Sequence, residues 1–544
     1  MRRLLAAASL AALALPGAAE AGRYAVGARS AADLPRLLAA LPGAESLAPI
    51  PAVVVERPSP PRLRDLPGAE YVEALGVRAP TARRLSAPPN DPLAAKQWHL
   101  EMNRAFDFFE GPPIVAAVRV AVIDSGIDGE HPELAARVAA HKSFVGGSAL
   151  VDRDGHGTFV AGLIAAETNN AVGIAGMAPG AELLVAKVVE GNDLIDVEAE
   201  VKAIRWAVRN GARVINMSLG GFRDPRHPER DAYSRLEADA VGWAHGKGVV
   251  VVAAVGNNTD TPPRPWPFAS YPAALPHVLG VSAIARDGSV PAFSHRDKIY
   301  NDLAAPGVGI LSTFPRALTA EAKECPEQGY SSCAPEDFRK GQGTSFAAPQ
   351  VAAAAAMLLG LRPGLRPEQV TAILTGTARD VNPGTGCRAC ALRRDALTGW
   401  GRLDVTAALR VAAANQAPPK DVLEPNDDAG TRAPILWGRT RRLDATVDFW
   451  DDQSDVYGIK LSRGQPVYLS VRGPAGTDTN LILWRPETKR IDDLASLRLI
   501  VRQSARTGPR EYLSFRAPRA GTYFVQVKLS SRGAGRYKLV VVKG

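Results

Sequence analysis

Cysteine is scarce in these 544 residues: there are four, Cys325, Cys333, Cys387 and Cys390. Cys387-Arg388-Ala389-Cys390 has the spacing of a redox motif or half a zinc site. No second such pair and no adjacent histidine accompany it, which argues against metal. An even number in an exported chain favours disulfides with three possible connectivities; sequence proximity suggests Cys325–Cys333 and Cys387–Cys390. Long apolar runs are missing after residue 15, which excludes a later transmembrane helix. A dense basic block is missing too. The formal net charge is +9, yet arginine is spread along the chain and offset by many acids, so nucleic acid is not the expected partner. There is no internal repeat.

What is present begins with Arg2 and Arg3, an apolar run over 4–15, then Pro16, Gly17 and Ala19-Glu20-Ala21. A charged start, a short apolar stretch and small residues in an A-x-A arrangement form the pattern of a cleaved secretory signal. The expectation is a signal peptide over 1–21 and a secreted protein, extracellular or periplasmic, with no integral membrane segment after signal removal.

The length suits two to four folded units, and a composition 46% hydrophobic and 22% charged suits substantial cores. Residues 22–87 hold strand-like runs at 23–26 and 52–55 and a helix-like run at 30–41. They carry no evident chemistry, and their position suits a propeptide. Over 88–412, short apolar runs at 119–123, 183–189, 213–217, 249–255 and 278–283 alternate with helical patterns such as 196–209 and 232–245. That alternation predicts an α/β domain, a parallel sheet flanked by helices, with its site at the carboxyl ends of the strands. Residues 413–421 read as a linker. Residues 422–544 alternate at 467–471, 481–484, 512–516, 523–528 and 537–542, which predicts an all-β sandwich domain.

Three short stretches carry chemistry. Asp124 ends the buried run 118–123 and precedes Ser125-Gly126, so it can accept a hydrogen bond from a histidine; taken alone, an aspartate at a strand end is more often a turn or cap residue. His156 lies in Asp154-Gly155-His156-Gly157-Thr158, the one histidine of eight with glycine on both sides. Ser345 lies in Gly343-Thr344-Ser345-Phe346-Ala347-Ala348-Pro349 ahead of an alanine-rich run. Pro349 is tolerable in a first helical turn, which puts Ser345 near a helix N-terminus, as a cap or where free amides favour developing negative charge.

These stretches, in the order Asp, His, Ser, together with Ser218-Leu219-Gly220, Gly256-Asn257 and Ala304-Ala305-Pro306-Gly307, resemble the subtilase family of serine proteases over roughly 88–412. The resemblance implies a serine endopeptidase with Ser345 as nucleophile, His156 as general base, Asp124 orienting His156, and Asn257 with the Ser345 backbone N–H binding the oxyanion. It implies polypeptide substrates pairing along Ser218, Leu219 and Gly220, and a primary specificity pocket lined by Ala253, Ala254 and Gly256 with Ser270 near its base. Such small, uncharged lining suggests a roomy, apolar slot and broad specificity. Phe346 stands where many members have methionine. The resemblance further implies a zymogen inhibited by its own propeptide and, with no cofactor for catalysis, a structural calcium ion. Its ligands would be Asp91, Glu133 and the Asn170 side chain with the carbonyls of Thr168, Val172 and Ile174, Glu133 standing where an aspartate is usual. Residues 422–544 resemble pre-peptidase C-terminal domains through Glu424-Pro425-Asn426-Asp427-Asp428, Asp455-Val456-Tyr457 and Ala520-Gly521-Thr522-Tyr523. The competing reading is a catalytically silent binding protein of the same fold, which usually shows a broken triad.

Overall fold

The computed structural model describes the chain except for residues 1–21, 49, 58, 75–88, 110–115, 191–194, 258–264, 322–330, 333–336, 418–422, 432, 451 and 492–493. The expected signal peptide, Cys325, Cys333 and part of the expected linker lie outside the described residues. The chain divides into two units, Met1–Arg84 and Leu85–Gly544.

In the first unit, β1 (Gly22–Ala28), β2 (Glu45–Ser46), β3 (Ala52–Arg57) and β4 (Ala69–Ala74) form an antiparallel sheet in the order β2-β3-β1-β4. Val26, Val53 and Val55 pack with Leu37 of the helix Leu34–Ala40.

In the second unit, β5 (Val118–Asp124), β6 (Val138–Ser143), β7 (Ala181–Lys187), β8 (Val214–Met217), β9 (Val250–Ala254), β10 (Val278–Ile284) and β11 (Leu303–Pro306) form one seven-stranded sheet. Its order is β11-β10-β9-β8-β5-β7-β6, and every pair is parallel. The inner strands read as continuous apolar runs because both faces are covered. On one face lie the helices His156–Ala165 and Thr344–Leu361, packed on Val120 and Val122. On the other lie Val197–Arg209 and Arg235–Gly246, packed on Ala121 and Ile123. Each of the latter pair starts at a side-chain cap: Asp196 accepts from the Glu198 N–H, and Ser234 from that of Glu237. The chain runs from β5 out to β6 and β7 on one side, then crosses to β8 on the other. That reversal at β5 opens a crevice at the carboxyl ends of β5 and β8, where such sheets place their ligands.

The helix Thr344–Leu361 is apolar on all sides and, contrary to the expectation that no later stretch would be, is long and apolar enough to cross a membrane, the one such helix among the described residues. It is buried along almost its whole length, so it is a core helix, and its alanines let it lie close against the sheet.

Residues from Thr440 onward form two four-stranded antiparallel sheets. One holds Thr440–Asp448, Ala534–Lys543, Pro466–Arg472 and Arg510–Arg516; the other holds Ser454–Leu461, Gly521–Leu529, Thr479–Trp484 and Ile500–Ser504. Residues of both share one core that includes Leu443, Tyr457, Leu469, Val525 and Tyr537, which makes a β-sandwich. Cys387 and Cys390 form a disulfide.

Candidate active site

Asp124 is the last residue of β5, buried at the crevice, with the Ser125 N–H donating to its Oδ1 at 2.8 Å. His156 is the first residue of its helix, and its Nδ1 lies 2.8 Å from the same oxygen. The approach depends on glycine. A methyl on Gly157 would stand 2.0 Å from the Gly126 carbonyl oxygen, and one on Gly155, at φ +93°, would stand 2.5 Å from the Phe314 ring. Only bare backbone lets the first helical turn sit on the turn after β5.

Asp152, which sequence reasoning passed over, ties the two segments together. Its carboxylate accepts from the Ser125 hydroxyl, the Asp154, Gly155 and Thr158 N–H groups and the Thr158 hydroxyl. Burial pushes its pKa up against the pull of those bonds. An aspartate two residues ahead of Asp154-Gly155-His156 was the available signal.

Burial works against a charged His156 ring. The charge and hydrogen bond of Asp124, with Asp154 and Asp152 beyond, outweigh it and push the pKa up to about 9. A general base must be neutral to take a proton, so in that role His156 would give a rate that rises with pH as the ring loses its proton. Asp154 Oδ1 also accepts from the His156 N–H at 3.0 Å. Asp154→Asn keeps that acceptor and removes the charge. The acid limb of the kcat/KM profile should therefore move to lower pH, and an unmoved limb would mean Asp154 does not act on His156.

Ser345 is the second residue of its helix. Pro349 falls in the second turn, not the first as the sequence suggested, and cannot donate to the Ser345 carbonyl four residues back. Ser218, just past β8, supplies the missing bond: its hydroxyl donates to that carbonyl at 2.7 Å and accepts from Asn216 Nδ2 at 2.9 Å. Asn257 follows β9. Its Oδ1 accepts from the Thr344 N–H at 2.9 Å and the Thr344 hydroxyl at 3.1 Å, while the Gly256 N–H reaches that hydroxyl at 3.2 Å. A backbone N–H can face only the amide oxygen, so Nδ2 is left as the donor. Thr344, unremarked in the sequence, is thus the clamp between the end of β9 and Ser345. Phe346 is buried against Phe159 at a centroid distance of 4.1 Å and lies 5.6 Å from the His156 ring.

Beside Ser345 is a pocket bordered by Ser218, Leu219, Gly220, Ala254, Gly256 and Ser270. Ala253 does not line it: alternate residues of a strand face opposite sides, and Ala253 is buried in the core on the far face. Nor is the pocket the apolar slot expected, because His295 lines it as well and lies 3.3 Å from the Ser270 hydroxyl.

The structure also brings Asp91, Glu133 and Asn170 together. Asp91 accepts from the N–H groups of Asn169 and Asn170 at 2.9 and 3.2 Å, and Glu133 Oε2 lies 3.5 Å from Asn170 Nδ2. Burial, then the charge of Asp91, pushes the Glu133 pKa up to about 8, and its buried Oε1 has no hydrogen-bond partner. Two buried carboxylates with an unsatisfied oxygen fit a hard cation. Val172 is exposed, whereas Ile174 is buried.

The subtilase family model matches residues 116–401. Thermitase of Thermoactinomyces vulgaris is 33% identical over 309 residues, 55% of this chain and 94% of that protein. Subtilisin DY of Bacillus licheniformis is 35% identical over 267 residues, 49% of this chain and 85% of that protein. Among solved structures, a protease from Pseudoalteromonas arctica aligns with a TM-score of 0.47 and 28% identity, over 60% of this chain and 100% of that one.

Proposed function

Since the chain belongs to the subtilase family of serine endopeptidases, we propose that Asp124, His156, Ser345 and Asn257 are its working groups. His156 Nε2 takes the Ser345 hydroxyl proton as Oγ attacks the scissile carbonyl. Asn257 Nδ2 and the Ser345 N–H hold the oxyanion, and the proton passes from His156 to the leaving amine. Water then attacks the acyl-enzyme by the same route and releases the acid. Asp124 keeps the imidazole in the tautomer with the Nδ1 proton and stabilises the imidazolium. The observation that carries this reading is the 2.8 Å bond from His156 Nδ1 to Asp124. The presence of all three triad residue types, with His156 bonded to Asp124, and a tethered Asn257 disfavour a silent binding protein. A fluorophosphonate probe should label Ser345 in the wild type and not after His156→Ala; equal labelling of both would overturn the assignment.

The finer reading is an exported zymogen whose residues 22–87 act as inhibitor and folding aid, supported by a separate small α+β unit ahead of the catalytic sheet. The N-terminus of the probe-labelled exported form tests it, since a start near Gly22 would mean that no propeptide is removed. Residues 422–544 are proposed as a pre-peptidase C-terminal domain, a reading that loss of catalytic-domain stability or secretion on their deletion would support. Main-chain pairing along Ser218, Leu219 and Gly220 supports tolerance of many sequences.

Calcium is proposed at Asp91, Glu133 and Asn170, with the carbonyls of Thr168, Val172 and Ile174; it serves stability and not the reaction. An ion present at about 100 times its Kd would add about 2.7 kcal/mol to folding. In a Ser345→Ala background, which prevents self-digestion, EDTA should lower the melting temperature and Glu133→Ala should remove the effect of EDTA. An unchanged melting temperature would show that the loop holds itself without metal. Persistence of the effect in Glu133→Ala would move the ion elsewhere.

A further inference from the structure

The pocket beside Ser345 has apolar walls and one polar end. Leu219, Phe222 and Ala254 supply the walls. Of the polar groups around it, the Ser218 hydroxyl is held by the Ser345 carbonyl, and Asn257 Oδ1 and Thr344 are held by each other. What remains is Ser270 with His295. Both are buried, with Ser270 Oγ 3.3 Å from His295 Nδ1. A methyl built on Gly256 would stand 2.4 Å from Ser270 Oγ and 2.5 Å from His295 Nδ1. The pair therefore crowds up behind Gly256, where a pocket with nothing there would run deeper.

Ser270 and His295 together can meet either partner. A hydroxyl carries one donor and two acceptor positions, and it turns according to what the imidazole offers. Burial pushes the His295 pKa down to about 4, against carbonyls of Asn257 and Val255, so the ring is neutral when the enzyme works. Among the described residues no charged side chain lines the pocket. An ionised substrate side chain would lose its hydration there with no counter-charge. A purely apolar one would dry the hydroxyl without replacing its water, which a site built around a hydrogen bond penalises.

Resting on the endopeptidase reading above, we propose that His295 is a specificity-determining residue. Acting through Ser270, it selects a substrate residue, on the acyl side of the cut bond, whose side chain has an apolar stem and a neutral hydrogen-bonding tip. Glutamine and asparagine carboxamides have that form. Their apolar counterparts of equal size, methionine and leucine, do not.

The experiment is kcat/KM for four peptides that differ only at that residue: Gln, Met, Asn and Leu. Wild type should favour Gln over Met, and Asn over Leu, by about tenfold. His295→Leu should bring both ratios to unity or below. His295→Asn, which keeps a side-chain partner for Ser270, should preserve much of them. Ratios measured within one preparation do not depend on the fraction that folds, and Ser270→Ala offers a second route to the same loss. Equal or faster cleavage of the Met and Leu peptides by wild type overturns the proposal, as does a ratio unmoved in His295→Leu. Failure of all four peptides together with absent fluorophosphonate labelling would sink the endopeptidase reading instead.

Discussion

Ser345→Ala should lower kcat for peptide hydrolysis by about 10⁶-fold, the loss known for the matching serine of a subtilisin and taken over from it. The fold should survive. Ser345 is half-buried, and the substitution removes one oxygen atom from it. The backbone carbonyl that Pro349 leaves without a helical donor is satisfied by Ser218, which the substitution does not touch. A change in stability within about 0.5 kcal/mol is therefore expected. In the proposed triad Ser345, His156 and Asp124 act as one unit, so adding His156→Ala should cost little more. Thermal unfolding with single-turnover kinetics on one peptide would settle it. Turnover near the wild-type level would sink the triad, and a collapsed melting temperature would show that Ser345 does structural work.

Replacing Asn257 should have the next largest effect. Asn257→Ala removes the side-chain oxyanion donor, and a loss of about 10²–10³ in kcat is expected with KM little changed, again a magnitude known from subtilisin. Asn257 Oδ1 also receives the Thr344 N–H, so alanine could act by loosening the turn that carries Ser345. Asn257→Asp separates the two effects: it keeps an acceptor for Thr344 and replaces the donor with negative charge. It should be at least as inactive as alanine while melting near the wild type. Thr344→Val breaks the link from the Gly256 N–H to Asn257 and leaves the donor in place, so its loss should be smaller. Activity retained in Asn257→Asp would show that the backbone N–H alone carries the oxyanion.

Much of this was legible in the residues. The runs that became β5, β8, β9 and β10 are apolar because both faces of a parallel sheet are buried, and that pattern survives without knowing what covers it. Five of the eight strands of the C-terminal sandwich were legible from alternation; Thr440–Asp448, Ser454–Leu461 and Ile500–Ser504 were not. Asp152 and Thr344 were not. Each lies in or beside a motif that the sequence displays, but its importance comes from partners brought by other segments, which the neighbouring residues do not reveal.

By itself the sequence singled out the groups proposed to react, because a nucleophilic serine, a base flanked by glycines and an aspartate at a strand end need particular residue types with particular neighbours. Tertiary structure alone decided what those groups rest on. Ala253 and Ala254 are adjacent and alike, yet the pleat sends one into the core and the other to the pocket. Pro349 looks like a helix-start residue until Ser218, 131 positions earlier, is found donating to the carbonyl it strands. His295 lies in an ordinary loop sequence, and only the packing of that loop behind Gly256 turns it from one histidine among eight into the end of the pocket beside Ser345. Local chemistry is written residue by residue, whereas a hydrogen-bond partner or a pocket wall depends on which distant segments meet, and that is set by the burial of the whole core.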